Sequence, residues 1–312
     1  MPTISKSPAP VDASQTASEA FATILRYNFD YLIQWEDTAR SADEIEGVHQ
    51  LRVTFRRMRS ALVLFRSAVP KSASAYWNGE MRWLASQLGL ARDLDVFLTE
   101  SLKEIEGKLP LGGSQKLIAL TDRRRRKVYR DEVCTMLDSE RFARFKTDFV
   151  SWVAGKEWEK RELKKKQLKY LEMELPMFAR LLMDKQERRV LNHGSHVAKD
   201  SPEEMHRLRI ECKKLRYAAE FFSPLFDDMD EFINHMKGLQ DLLGIMNDVA
   251  VLRHLLETLL ANSKDQNVLE YAGGVVGWKS CQFYQLLDSF EGCWAEFSEA
   301  RHPWWKQSSG TT

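Results

Sequence analysis

Apolar residues recur every three or four positions along most of the chain, and this spacing predicts helices. The clearest stretch, 48–65, has apolar residues at Leu51, Phe55, Met58, Leu62 and Phe65. A second stretch, 205–222, repeats the pattern at Leu208, Cys212, Leu215, Ala219 and Phe222. Persistent alternation and β-branched runs are absent, so no strand is predicted. The pattern therefore predicts an all-α fold.

The polar positions of the two stretches also match each other. The first stretch carries His49, Arg52, Arg56 and Arg59, and the second carries His206, Arg209, Lys213 and Arg216 at the same spacing. At about 100° per residue, these four positions fall within a sector of roughly 80° on a helix. Each set therefore forms one cationic face, which we call the first stripe and the second stripe.

A cationic stripe can also be an ordinary solvated face. Such a face usually carries acidic residues one turn away from its cations, because they relieve the repulsion between like charges. Across both stripes only Glu220, four residues after Arg216, has this position. The duplication and the shortage of acidic neighbours favour an anion-binding role.

A second motif repeats in the same order along the chain. Residues 82–93 and 237–248 each begin with a cation, contain Leu-Gly and end with Asp. The glycines, Gly89 and Gly244, lie inside apolar-periodic helices, where Gly costs about 1 kcal/mol relative to Ala. Their recurrence predicts a close approach between helices. The aspartates, Asp93 and Asp248, are candidates for orienting an arginine of the stripes, and an ordinary surface role is the alternative.

These paired motifs resemble those of the conserved histidine α-helical domain, CHAD. The resemblance extends from about Phe21 to Trp305 and rests on both H-x2-R stretches and both L-G-x2-[RN]-D stretches. It implies two similar antiparallel helical bundles, related by a pseudo-two-fold, around a basic central channel that binds inorganic polyphosphate. The residues expected to bind it are His49, Arg52, Arg56, Arg59, Arg82, Arg92, His206, Arg209, Lys213, Arg216 and Lys237.

A separate basic run, 122–130, places Arg123, Arg126 and Arg130 at the same helical spacing as the stripes. Runs of this kind occur in nucleic-acid-binding and nuclear-localisation patches, and also on partly solvated helix faces. Arg126 and Arg130 are therefore added to the candidates for the same anion.

The domain organisation follows from composition and from the repeat. Residues 1–18, rich in Pro, Ser and Ala, are predicted to form a disordered tail. Residues 19–307 are predicted to form a single domain, with a first half (19–155), a connector helix (156–192) and a second half (193–307). The lysines of the connector alternate with glutamates, so its charges are interpreted as solvated.

Composition indicates where the protein is located but does not identify its ligand. The 46 Lys and Arg residues and 45 Asp and Glu residues leave a net charge of +1, so the distribution of charge matters more than its sum. The four cysteines show no paired spacing, which is typical of reduced intracellular thiols. Neither a signal peptide nor a membrane-spanning apolar run is present. The expected location is the cytoplasm, including polyphosphate granules.

The residues suit binding better than catalysis. Arg offers forked donors to phosphate, Lys a compact charge and His a donor that titrates near neutrality. Phosphate-loop and G-x-S-x-G motifs are absent. His193 and His196 have H-x2-H spacing without further ligands nearby, so neither a metal nor a cofactor is expected.

The expected function is non-catalytic binding of inorganic polyphosphate, and the identity of the ligand comes from the family resemblance. One alternative is an RNA-binding module, for which Tyr217 beside Arg216 is the only aromatic candidate in the stripes. Nucleic acid is not the expected partner, and the sequence identifies no protein partner. Further alternatives are a phosphoanhydride hydrolase and a helical scaffold without a ligand.

Overall fold

Helices make up the regular structure of the chain. The computed structural model describes residues 8–198, 201–300 and 302–305. The α-helices in these ranges are α1 (Ala17–Gln34), α2 (Ile45–Leu64), α3 (Lys71–Gln87), α4 (Gly89–Val96), α5 (Ser114–Val128), α6 (Thr135–Leu137), α7 (Glu140–Ala154), α8 (Lys165–Leu171), α9 (Leu175–Gly194), α10 (Pro202–Phe222), α11 (Met229–Leu259), α12 (Gln266–Leu287) and α13 (Phe290–Ser298). No strand occurs in the same ranges, where one isolated bridge joins Thr16 and Glu174. The predicted all-α fold is confirmed.

The two repeated stretches form α2 and α10, and their apolar faces lie in the core. Leu51, Phe55 and Met58 on α2 are fully buried, as are Leu208, Cys212 and Leu215 on α10. The stretches also meet at their ends, where the ring centroids of Phe65 and Phe222 lie 6.0 Å apart. The two halves therefore share one apolar core. The pseudo-two-fold and the central channel stay predictions.

A buried polar network holds α4 against α5. The carboxylate of Asp95, with no exposed surface, accepts hydrogen bonds from Tyr129 Oη at 2.7 Å and Arg125 Nη1 at 3.2 Å. A buried carboxylate is tolerated only when it is paired and hydrogen-bonded, as it is here. Arg125 belongs to the basic run 122–130, so one member of that run has a structural role. A π-helical segment, Phe97–Leu102, follows α4.

The predicted boundary between tail and domain requires a correction. Residues 1–7 lie outside the described residues. Residues 8–18 are partly packed against the core, because Ala9 and Val11 are buried and α1 already begins at Ala17, although residues 12–14 are exposed. Thr16 caps α1 through a reciprocal pair of hydrogen bonds with Glu19. Composition predicted disorder here because the segment has few apolar residues. Two of them, Ala9 and Val11, are nevertheless enough to hold it against the core that the rest of the chain forms.

The segment predicted as one connector helix is divided. Residues 156–192 contain α8 and most of α9, with a break between Leu171 and Leu175. Trp158, within the charged stretch, is fully buried and donates from Nε1 to Ser18 Oγ at 2.9 Å. Phe178 and Met183 bury one face of α9. Lysines 164–166 are exposed, in agreement with the solvated reading of that part.

Candidate functional site

Cationic residues from both halves line one cavity of about 360 Å³. Its walls come from α2, α4 with the π-helical segment, α10 and α11. We call it the cationic cavity. Six of the predicted residues line it: His49, Arg52, Arg56, Arg92, Arg209 and Lys213. The cavity therefore brings together most of the first stripe, part of the second, and one cation of the second motif.

Helix periodicity explains why the stripes reach this cavity. Leu51 and Phe55 on α2, and Leu208 and Cys212 on α10, are fully buried on the face that adjoins each stripe. Side chains about 100° away around each helix must then point out of that core. Because α2 and α10 pack together, their outward faces meet at the same opening.

Arg52 is held close to the second motif of its own half, where α3 ends and α4 begins. Its Nη1 donates to the carbonyl of Ala85 at 2.9 Å, and a Cβ added to Gly89 would lie 3.4 Å from the same atom. Burial lowers the pKa of Arg52. The neighbouring Arg56 and Arg92 lower it further, and Asp93 opposes the change. Arg52 is thus a desolvated cation among other cations.

The second stripe has an equivalent arrangement. A Cβ added to Gly244 would lie 3.9 Å from Arg209 Nη2, and burial lowers the pKa of Arg209 against the opposing effect of Asp248. The buried Nε of Arg209 has no hydrogen-bond acceptor among the described residues. Each repeated glycine therefore lies beside an arginine of its own half, and each repeated aspartate acts on that arginine.

Lys213 shows the strongest electrostatic effect in the cavity. Burial, followed by repulsion from Arg209, Arg56 and Arg216, lowers its pKa to about 7, and Asp248 only partly offsets this. A lysine at that pKa is about half protonated at neutral pH. The surroundings of Lys213 therefore disfavour its charged form.

Carboxylates accompany the cations. Asp93, Glu100 and Asp248 line the cavity, and Arg92 Nη2 lies 3.3 Å from Glu100 Oε1. Burial raises the pKa of Asp93, and Asp248 contributes in the same direction, so the two repeated aspartates interact across the halves. Glu100 belongs to no repeated motif, and sequence reasoning had no signal for it.

A second cavity of about 530 Å³ shares Glu100, Asp248 and Leu252 with the cationic cavity. It continues along α11 towards α12, where Lys279 Nζ pairs with Glu104. The two cavities together form an elongated space. Cations are concentrated at the end where α2 and α10 meet.

Tyr217 connects the halves and is not available for stacking. Its side chain is 2% exposed, and its hydroxyl accepts a hydrogen bond from Arg56 Nε. Arg216 lies on the same ring, with Cζ 5.4 Å from the centroid, and its Nε is 3.6 Å from Glu220 Oε1. The pairing of Arg216 with Glu220 agrees with the sequence. A stacking role for Tyr217 does not fit its burial.

Several predicted residues lie outside the cationic cavity. Arg59 donates to Asn78 Oδ1 at 3.1 Å, and its pKa is lowered by burial and then by Arg82. Arg59 and Arg82 thus form a separate cationic pair between α2 and α3. Arg216 is engaged as described, and Lys237 is exposed on α11.

The basic run contributes no residue to the lining of the cationic cavity. Arg126 is ion-paired with Asp122 and Asp43, each at 2.9 Å, and Arg130 lies 2.8 Å from Asp131. Both arginines are more than half exposed, so they have the character of a solvated face. Their inclusion with the anion-binding residues is not supported by this geometry.

His206 is separated from His49. It lines another cavity, of about 910 Å³, between α10, α11 and α12, which meets the cationic cavity at Arg209. The repeat predicted equivalent positions for the two histidines. The packing of α12 gives the second half an opening with different walls.

Two further observations concern the described ranges. No group of three or more His, Cys, Asp or Glu side chains there is placed to hold a metal ion. None of the helices described is long and apolar enough to cross a bilayer.

The fold and cavity define the class as an all-helical domain with a duplicated cationic helix. The CHAD domain family model matches residues 23–257, and the chain belongs to the CHAD family. The crystal structure of the CHAD domain from the plant Ricinus communis is similar to it, with 26% identity and a TM-score of 0.78. That match covers 96% of this chain and 99% of the plant domain.

The other similarities are confined to the fold or to a short segment. PptA from Streptomyces chartreusis shares the fold at 16% identity, with a TM-score of 0.66, over 90% of this chain and 100% of PptA. Uncharacterized proteins from two strains of Mycobacterium tuberculosis are 36% identical over 81 residues. That segment is 26% of this chain and 16% of the length of each mycobacterial protein.

Proposed function

We propose that the protein binds inorganic polyphosphate in the cationic cavity and does not hydrolyse it. The observation that carries this proposal is the convergence of Arg52 and Arg56 from one half with Arg209 and Lys213 from the other. Arg52, Arg209 and Lys213 are partly buried, and their lowered pKa values reflect lost hydration and repulsion from neighbouring cations. A bound polyanion would offset both costs by attraction.

The choice of polyphosphate rests on the family resemblance and on the shape of the site. Polyphosphate carries a charge on every phosphate and no bases, so it requires cations along a groove and no stacking surface. Among the described residues that line the cationic cavity, the one Phe, Tyr or Trp is Phe97, which is 1% exposed. Binding to a base would require exposed rings among the cations. A cytoplasmic location, including polyphosphate granules, belongs to the same proposal.

The first test compares long-chain polyphosphate with single-stranded RNA and with DNA at matched charge and salt. We expect polyphosphate to bind more tightly, with affinity falling approximately linearly in a log–log plot against salt, because phosphate contacts release counterions. Titration calorimetry at several salt concentrations measures both properties. Affinity independent of salt, or equal binding of RNA at matched charge, would contradict the proposal.

The hydrolase alternative has its own test. Asp93 and Asp248 lie among cations that hold them as counter-charges, and the proposal assigns them no catalytic step. We expect purified protein to release no phosphate from polyphosphate or ATP, with or without divalent metal. Phosphate release that accompanies the protein through purification, and that is lost in Asp93→Asn or Asp248→Asn, would establish the hydrolase instead.

A further inference from the structure

The cavity that contains His206 differs in character from the cationic cavity it adjoins. Its volume is about 910 Å³, within the range of pockets that hold small molecules. Leu243, Val249 and Ala250 supply apolar walls on α11, and Phe283 and Tyr284 supply two rings on α12. We call it the aromatic cavity. Inorganic polyphosphate has no group that would use these walls.

The two rings are placed to receive a flat aromatic group. Tyr284 is 67% exposed, Phe283 is half-buried, and their ring centroids lie 5.2 Å apart with the planes at 54°. The exposed ring of Tyr284 at the wall of the cavity provides a stacking surface, and every nucleic-acid base has a face that can use one. Such a surface favours a ligand that contains a base.

One cation connects the rings to the proposed phosphate site. Arg209 lines both cavities, and its buried Nε has no acceptor within the described part of the chain. The other arginines of the aromatic cavity are engaged on α10 and α11. Arg207 Nη2 lies 3.8 Å from Glu203 Oε2, and Arg253 Nε lies 2.9 Å from Glu257 Oε1. A phosphate group at the junction would therefore meet Arg209 first.

We propose that the aromatic cavity binds the base of a nucleoside polyphosphate, whose phosphates extend past Arg209 into the cationic cavity. The placement of the phosphates rests on the proposed function, whereas the placement of the base rests on Phe283 and Tyr284. The ligand class follows from this order of surfaces, with a stacking wall at one end and desolvated cations at the other.

The test compares ATP with inorganic tripolyphosphate, without divalent metal, by titration calorimetry. Both ligands have three phosphates, and ATP carries the lower charge, so electrostatics alone favours tripolyphosphate. Stacking on the rings should reverse the order and make ATP bind about tenfold more tightly. Tyr284→Ala should remove that advantage and leave the affinity for tripolyphosphate unchanged, whereas Tyr284→Phe should preserve it.

Tyr76 provides a matched control. It is 64% exposed on α3, its ring lies 4.9 Å from the ring of Trp77, and it lines none of the three cavities described above. Tyr76→Ala should leave both affinities unchanged. Because Tyr284 is mostly exposed, Tyr284→Ala should also unfold at the same temperature as the wild type.

The outcomes separate this inference from the proposed function. Equal affinities for tripolyphosphate and ATP, or an affinity for ATP that Tyr284→Ala leaves unchanged, would overturn the inference while leaving polyphosphate binding intact. ATP binding that depends on Tyr284, in a protein that does not bind polyphosphate, would support the inference and overturn the proposed function. If single-stranded RNA bound more tightly than ATP, and its binding depended on Tyr284, the inference would be overturned in favour of a nucleic-acid-binding surface.

Discussion

Arg52 and Arg209 hold corresponding positions in the two halves, and each lies beside the glycine of a repeated motif. The distances from an added Cβ, 3.4 Å at Gly89 and 3.9 Å at Gly244, leave room for a methyl group at most. The sequence predicted a close approach between helices at both glycines, whereas the nearest neighbour of an added Cβ is a side chain at ordinary van der Waals distance. The approaching group is the guanidinium of a stripe arginine, so the two repeated motifs form one structural unit in each half.

Lys213 should make polyphosphate binding depend on pH. Its pKa of about 7 reflects burial and the neighbouring Arg209, Arg56 and Arg216, with Asp248 opposing them. A bound polyanion favours the charged lysine and raises that pKa, so binding should take up protons. Affinity should be constant below the free pKa and fall as the pH rises through it. Calorimetry in two buffers of different ionisation enthalpy, slightly above neutral pH, measures the uptake.

Lys213→Arg tests whether this lysine is the group that takes up the proton. Arginine stays protonated, so the variant should bind polyphosphate with less proton uptake than the wild type. Lys165→Arg, on the exposed α8, should leave the uptake unchanged. Equal proton uptake by Lys213→Arg and the wild type would show that Lys213 is not the group that titrates.

At the scale of elements, the start of α2 depends on a contact between backbones. A Cβ at Gly47 would lie 2.3 Å from the backbone nitrogen of Ala39, in the short 3-10 helix that precedes α2. No flexible side chain can move aside there. Gly238, in the interior of α11, is the opposite case, because its Cβ would meet nothing within 4 Å.

The two glycines should therefore respond in opposite directions to alanine. Gly47→Ala should lower the free energy of unfolding by about 1–3 kcal/mol, since a close-packed backbone has to shift. Gly238→Ala should raise it by up to about 1 kcal/mol, through helix propensity alone. Urea denaturation measures both changes. A shift in the same direction for both variants would contradict the packing at the start of α2.

At the scale of the whole molecule, the halves are joined by polar as well as apolar contacts. Arg57 Nη2 on α2 lies 3.1 Å from Glu220 Oε2 on α10, and Arg56 donates to Tyr217. These contacts hold the two stripes at one opening. A single polyphosphate chain would then be bound by both halves at once.

Neutralising either stripe should weaken polyphosphate binding to a similar extent. Charge-assisted hydrogen bonds contribute about 1.5–3 kcal/mol each, so Arg52→Ala with Arg56→Ala should lower the affinity about a hundredfold or more. Arg209→Ala with Lys213→Ala should have a comparable effect. Calorimetry measures affinity and stoichiometry, and thermal unfolding checks that each variant is folded.

Two controls remove charge elsewhere. Arg126→Ala with Arg130→Ala removes the same number of cations from an exposed, ion-paired surface, and neutralising lysines 164–166 removes three exposed cations at the start of α8. Both should change affinity little. The shared site would be disproved by full affinity and unchanged stoichiometry after loss of one stripe, or by controls that weaken binding as much as the stripes do.

Local sequence determined the helices, their buried faces and the direction of the stripes. The helical repeat relates residues only a few positions apart, so Leu51 and Phe55 predict the core face, and Arg52 and Arg56 the face beside it. Helix ends that are marked by capping or helix-breaking residues could also be predicted from the sequence. Ser201 caps α10 by accepting from the Glu204 amide at 3.4 Å, and α10 ends before Pro224.

Tertiary packing decided which of these residues meet. Arg126 and Arg130 have the same spacing as the stripes, yet Arg126 pairs with Asp43 and both are more than half exposed. His206 lines the aromatic cavity, whereas His49 lines the cationic cavity. A helical repeat gives the direction of a side chain around its own axis and carries no information about the helix opposite. That neighbour depends on how distant apolar faces pack, which no local pattern records.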